Sequence, residues 1–153
     1  MSAVREYPAA PLVGVGAIVV DGPRFLLVQR GHAPALGKWS IPGGLVHVGE
    51  PVETAVCREI AEECGLGVRL HGLVGFVDRI VRDPAGRVRY HYVLLDFLAT
   101  PDGGIVQAGS DAAAVRWTAL EDLTSLDTTE GLEPMIRRAL AMDAERRREE
   151  VRG

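Results

Sequence analysis

The chain has 153 residues, 47% of them hydrophobic and 25% charged, with a formal net charge of -4. That length suits one domain, spanning 1–153, whose core needs no disulfide staples. The acidic balance argues against a nucleic-acid-binding surface and leaves open a small anionic substrate held by a local basic patch or a metal. Residues 1–11 lack the apolar centre of a secretory signal, and the run LVGVGAIVV is about half the length of a membrane-spanning helix. A cytoplasmic protein without membrane or nucleic-acid partners is the expectation.

In chain order, residues 13–20 form an apolar strand closed by the turn at 21–23, and residues 24–30 return as the second strand of a hairpin. The glycines at 14 and 16 resemble the start of a dinucleotide fingerprint, but they lie inside a strand and no helix follows. Residues 31–44 form a loop dense in Gly and Pro, with a short strand at 39–41. Residues 51–64 form a helix, with Pro51 in its first turn and Gly65 just past its end. Cys57 and Cys64 sit about 10.5 Å apart along that helix, beyond disulfide reach, and pack as small apolar side chains. Residues 68–82 and 88–99 form a second hairpin around the turn at 83–86, and 112–120 is a last short strand. A terminal helix covers about 132–150, its charged last turns expected to fray. The order predicts an α/β domain, a mixed β-sheet sandwiched between helices.

Chemistry concentrates on the central helix. At 100° per residue, Val52, Val56, Ile60, Cys57 and Cys64 form an apolar stripe. Glu59, Glu62 and Glu63 occupy an arc of about 100° that overlaps its edge. Thr54, Arg58 and Ala61 take the outward side. Like charges at i,i+3 and i,i+4 are destabilising, and two of the acids sit near the helix C-terminus, the unfavourable end for negative charge. Arg58 offsets part of this. A hard divalent cation, Mg²⁺ or Mn²⁺, takes oxygen ligands and removes the objections together. Gly43 and Gly44, just upstream, let the backbone turn tightly and present a carbonyl oxygen.

The spacing Gly44, Glu50, Arg58-Glu59-Ile60, Glu62-Glu63, Gly65-Leu66 resembles the complete Nudix box. The segments FLLVQR, GKWSIPGG and VRWTAL also look like that family, so the resemblance covers about residues 12–123. It implies a mixed sheet between helices and hydrolysis of a pyrophosphate linkage in a nucleoside diphosphate joined to another group. It further implies metal ligation by Glu59, Glu62 and Glu63, with the Gly43 carbonyl as a further ligand. Arg58 then orients a glutamate, while Gly44, Glu50 and Gly65 shape the loop-helix-loop. Some relatives add an acid from the loop before the last strand, a place that Asp111 occupies; Asp111 also suits a plain turn residue. Asp96 is a weaker candidate, since its strand neighbours point it to solvent.

Substrate residues are less sharply marked. Arg30 and Lys38, just before the box, are candidates for a substrate phosphate. Arg79, Arg82, Arg87, Arg89 and His91 make a basic hairpin that could also meet phosphates or decorate a solvent face. Phe76, Tyr90 and Tyr92 could stack a base or fill the core. A proline that some ADP-ribose-cleaving relatives carry sixteen residues after the box is Arg82 here, with Pro84 nearby. The favoured substrate is ADP-ribose or a similar ADP-sugar. A nucleoside triphosphate pyrophosphohydrolase and a ligand-binding domain without catalysis are the alternatives. A homodimer is compatible with all three.

Overall fold

A computed structural model describes residues 5–109 and 112–153. In chain order it contains β1 (Leu12–Asp21), β2 (Arg24–Arg30), β3 (Trp39–Ser40), β4 (Gly43–Leu45), α1 (Val52–Cys64), β5 (Leu66–Arg82), β6 (Val88–Gly104), β7 (Ala112–Ala119), a 3-10 segment (Leu120–Ser125) and α2 (Leu132–Arg152). No described helix is long and apolar enough to cross a membrane.

β1 is the hub of the sheet. It runs parallel to β6 from Leu12–Tyr92 to Val19–Ala99 and antiparallel to β4 over its first half. Only its last two residues pair with β2, Val20 with Phe25 and Asp21 with Arg24. The sheet therefore has the order β3-β2-β1-β6-β5, with β4 added on β1 and β7 on β2. Such a mixed sheet between helices is the architecture expected from the element order.

Alternation along β1 shows why its sequence is apolar throughout. Val15, Ala17 and Val19 face one buried cluster with Val56, Ile60 and Cys64 of α1. Ile18 and Val20 face a second with Met135, Ile136 and Ala139 of α2. A strand covered on both faces has no polar side to show.

Three boundaries depart from expectation. Gly43–Leu45 is a strand, not part of a loop. β6 continues past Ala99 to Gly104, paired with β5 as far as Leu66–Gly104. α2 stays helical to Arg152. Its last turns carry Arg146 pairs to Asp143 and Glu150, both at 2.8 Å, and a 2.7 Å Arg148–Glu145 pair. Asp143 is buried, so this network is anchored, and spaced pairs of that kind stabilise a helix that would otherwise fray.

Candidate active site

α1 starts directly after Pro51 and ends on Gly65, whose φ of 70° is left-handed and suits glycine. Burial of Ala55, Val56, Ile60 and Cys64 fixes its rotation about its axis. The three acids consequently differ. Glu59 lies closest to the core, with a side chain 16% exposed, while Glu62 swings outward to 60%. Glu63 is half-buried and its Oε2 accepts the Gly43 amide at 2.9 Å.

Arg58 is not an outward residue. Its side chain, 22% exposed, folds back along the helix, and the guanidinium meets five acceptor atoms from four residues. Nε and Nη2 take the two Glu50 oxygens at 2.7 and 2.9 Å. Nη1 bonds Glu59 at 2.8 Å and Glu62 at 3.2 Å, and Nη2 also donates to the Leu45 carbonyl at 3.1 Å. A long side chain with a planar fork can leave its own helical direction to satisfy several carboxylates. This pairing, with the His47 amide that Glu50 also accepts, holds the Glu50 carboxyl down at about 2.

The paired glycines serve close approach. Both lie in extended β4, outside the positive-φ positions. A Cβ on Gly43 would strike the Val15 carbonyl, and one on Gly44 would strike the Glu59 carboxylate. The tight turn expected at these glycines is thus replaced by a bare strand pressed between β1 and α1.

Arg30, at the end of β2, is half-buried and tethered by Nε to the Pro34 carbonyl at 2.8 Å. Burial lowers its pKa, and the charge of Glu63 opposes that shift, which places the guanidinium beside the acidic arc. Arg79 is close enough to influence Arg30 and donates to the Glu130 carbonyl at 3.0 Å. Lys38 stands instead 4.0 Å from Asp127, with 43% of its side chain exposed. Asp111 lies outside the described residues.

The rest of the basic hairpin is engaged elsewhere. Arg87 covers the Tyr7 ring and pairs with Asp83, Arg89 pairs with Glu6, and Arg82 bonds the Gly86 carbonyl. Tyr90 and Tyr92 are buried and stacked at 6.3 Å, whereas Phe76 is exposed. Cys57 and Cys64 are free thiols, and burial pushes Cys64 up to about 12. The expectation for Asp96 is overturned: it is 7% exposed, and burial pushes its carboxyl up to about 6 despite the charge of Arg79. Its sequence neighbours are apolar on both faces, so alternation gave no sign of its direction.

Among the described residues no three acidic, His or Cys side chains already surround one point. Glu59 and Glu63 are turned to Arg58 and the Gly43 amide. The donor set nevertheless fits a hard divalent cation. It consists of carboxylate oxygens on one helix face, with Arg58 engaging Glu59 and Glu62 and Gly44 leaving the Glu59 carboxylate its room.

Residues 10–139 match the NUDIX domain. An ADP-ribose pyrophosphatase of Methanocaldococcus jannaschii is 37% identical over 116 residues, covering 76% of this chain and 66% of that protein. A putative 8-oxo-dGTP diphosphatase of Bacillus subtilis is 32% identical over 108 residues, 68% of this chain and 65% of that protein. The chain thus spans just under two thirds of the length of either relative. The crystal structure of a MutT NUDIX hydrolase from Burkholderia pseudomallei superposes with a TM-score of 0.74 at 36% identity, covering 84% of this chain and 98% of that one. The box at residues 44–66, the matched domain and the shared fold agree, and the chain belongs to the Nudix hydrolase family.

Proposed function

We propose that the chain is a divalent-cation-dependent pyrophosphohydrolase that splits the diphosphate of ADP-ribose or a similar ADP-sugar. The observation that carries the chemistry is the acidic face of α1, where Glu59 and Glu62 share the Arg58 guanidinium and Glu63 accepts the Gly43 amide of bare β4. The adenosine preference is supported by the 37% identical relative described as an ADP-ribose pyrophosphatase.

Glu59 and Glu63, the two less exposed acids, would hold Mg²⁺ or Mn²⁺ together with the Gly43 carbonyl. A cation held there would supply neutralisation of the diphosphate and a more acidic water. Arg58 fixes the Glu59 and Glu62 rotamers, so that little ordering is left for the moment of reaction. Arg30, held by Pro34, offers a positioned charge to a phosphate oxygen. Glu62, the most exposed of the three acids, would take the proton of the attacking water. The water oxygen bonds one phosphorus, the bridging oxygen departs with the other phosphate, and two monophosphates result.

Incubation with ADP-ribose and Mg²⁺ or Mn²⁺, followed by product identification, tests the reading. AMP and ribose 5-phosphate are expected, and chelation should stop their formation. Release of pyrophosphate from nucleoside triphosphates with ADP-ribose untouched would overturn it.

A further inference from the structure

Asp96 takes no part in the arrangement above, yet it is a buried acid in the middle of the sheet. Among the described residues no donor forms a hydrogen bond to its carboxyl. Arg79 reaches it only through its charge, with Nη2 bonded to the Glu130 carbonyl. Even pushed up to about 6, the group is ionised at neutral pH and acts as an acceptor only. A buried carboxylate without a donor is costly, and such groups are normally satisfied.

Its surroundings point to a ligand. Gly43, Gly16, Asp96 and Gly75 form one rung across β4, β1, β6 and β5. Two strand spacings separate Asp96 from Gly43, about 10 Å, and the Gly43 amide is bonded by Glu63 of the acidic face. On the β1 side Gly16 offers Asp96 no side chain of its own, and the space over it is shared by the Ile41 side chain and the Pro42 carbonyl: a Cβ there would lie 3.0 Å from Ile41 Cδ1, 3.1 Å from Asp96 Oδ1 and 3.2 Å from that carbonyl. The buried Tyr92 hydroxyl, which has no hydrogen-bond partner among the described residues, lies on the same face of β6, two pleats along the strand. Tyr92 pairs across the sheet with Arg79 and lies within the electrostatic reach of Arg30. Asp96 and Tyr92 share the side of β6 that carries Leu98 and looks toward α2, opposite the α1 cluster of Phe97 and Ala99, and Arg79 and Arg30 bring positive charge to that side, Arg30 also feeling the charge of Glu63.

We propose that Asp96 is a specificity-determining residue that accepts a hydrogen bond from the exocyclic amine of an adenine base, an inference that rests on the ADP-sugar reading and names its base contact. A carbonyl at that ring position sets two acceptors against each other, so the site rejects hypoxanthine as well as preferring adenine.

Binding of AMP, IMP and purine riboside monophosphate, measured by calorimetry, tests this without requiring turnover. The protein should bind AMP about tenfold or more tightly than either analogue, the effect of one hydrogen bond to a charged group. Asp96→Asn presents an amide that can donate to the IMP carbonyl, so it should level or reverse the AMP preference over IMP. The analogue without the amine reads the same contact in the unaltered protein should the variant fold poorly. Equal affinities for all three nucleotides, no measurable AMP binding, or an unchanged AMP-to-IMP ratio in folded Asp96→Asn would each overturn the proposal. Hydrolysis of ADP-ribose with equal affinities removes the role of Asp96 and leaves the activity. An AMP preference without hydrolysis of any ADP-sugar does the reverse.

Discussion

Arg58 closes a two-armed bridge onto Glu50, Nε to Oε2 at 2.7 Å and Nη2 to Oε1 at 2.9 Å. The bridge ties α1 to the connection that follows β4, and the same guanidinium holds Glu59 and Glu62. Because Glu50 titrates at about 2 in the folded chain, below its ordinary 4.5, its contribution to stability is full above that ordinary value. It is lost as pH falls through about 2. Arg58→Ala should therefore melt earlier than the parent at pH 7, and the gap should narrow as acid is added below pH 4.5. Turnover should fall as well, and Arg58→Lys should restore little of it, since an ammonium cannot match the fork. Melts across that pH range and steady-state kinetics check both outcomes. A gap independent of pH would detach the effect from Glu50.

The two adjacent glycines should respond differently to alanine. In Gly43→Ala the new methyl meets the Val15 carbonyl, part of the sheet backbone, and overpacking against backbone costs about 1–3 kcal/mol. In Gly44→Ala the methyl meets the end of the Glu59 side chain, which can rotate away. Gly43→Ala should chiefly lower the melting temperature. Gly44→Ala should keep most stability and lose metal affinity and turnover. Thermal melts beside Mg²⁺ titrations separate the two, and equal behaviour would sink this account of β4.

Much of this arrangement is legible in the sequence. The period of Val52, Val56 and Ile60 sets the helix and its buried side, and the spacing of Gly44, Glu50, Arg58 and the three acids marks the family. β4 was not legible because two consecutive glycines look like a turn. Only the tertiary approach of Val15 and Glu59 reveals why they are bare. The tail of β6 was hidden by Pro101, Gly103 and Gly104, which read as a strand end although pairing with β5 carries on to Gly104. The direction of Asp96 escapes the sequence because period-two alternation assigns a face only when one face is wet. The helical angle of Arg58 points outward because it fixes only Cβ, while five bonds of side chain decide where the guanidinium goes.

Metal binding gives a stability readout independent of turnover. A ligand that binds only the folded state stabilises it by about 2.7 kcal/mol at a hundred times its Kd. Protons compete with cations for carboxylates, so Mg²⁺ should raise the melting temperature more at pH 7.5 than at pH 5. Glu63→Gln retains the shape and removes one charge; its melting temperature should respond weakly to Mg²⁺, and its turnover should nearly vanish. An identical Mg²⁺ response in the parent and the variant would remove Glu63 from the metal site.

Arg30 and Lys38 were equal candidates by position in the chain, and the geometry now ranks them. Arg30 stands beside Glu63 and is held by Pro34, while Lys38 stands opposite Asp127. Arg30→Ala should raise KM for the best substrate about tenfold or more, the effect of losing a charge-assisted hydrogen bond. Lys38→Ala should change KM less than threefold, because an exposed pair at such a distance contributes under about 1 kcal/mol. The reverse ranking would move the phosphate grip to the β2–β3 connection.

Asp96 supplies a test of the buried face in the absence of ligand. Its folded value of about 6 exceeds the ordinary 3.8, so the folded chain binds this proton more readily than the unfolded one. The native state therefore loses stability as pH rises from about 4 through 6, and the loss levels off above that. A shift of about two units corresponds to roughly 2–3 kcal/mol. The charges around it are Arg79 on β5, which opposes the shift, and Arg138 on α2, which packs against the rung partner Gly75. Asp96→Asn cannot titrate, so its melting temperature relative to the parent should climb by several degrees between pH 4 and pH 7. Subtracting the two melts at each pH cancels the titration of every other group. Removing the opposing charge in Arg79→Ala should move the midpoint of the parent's own loss to higher pH. A difference that stays flat across the range would mean that the Asp96 carboxylate finds a donor in the folded protein without any nucleotide, and the case for a base contact there would lose its physical ground.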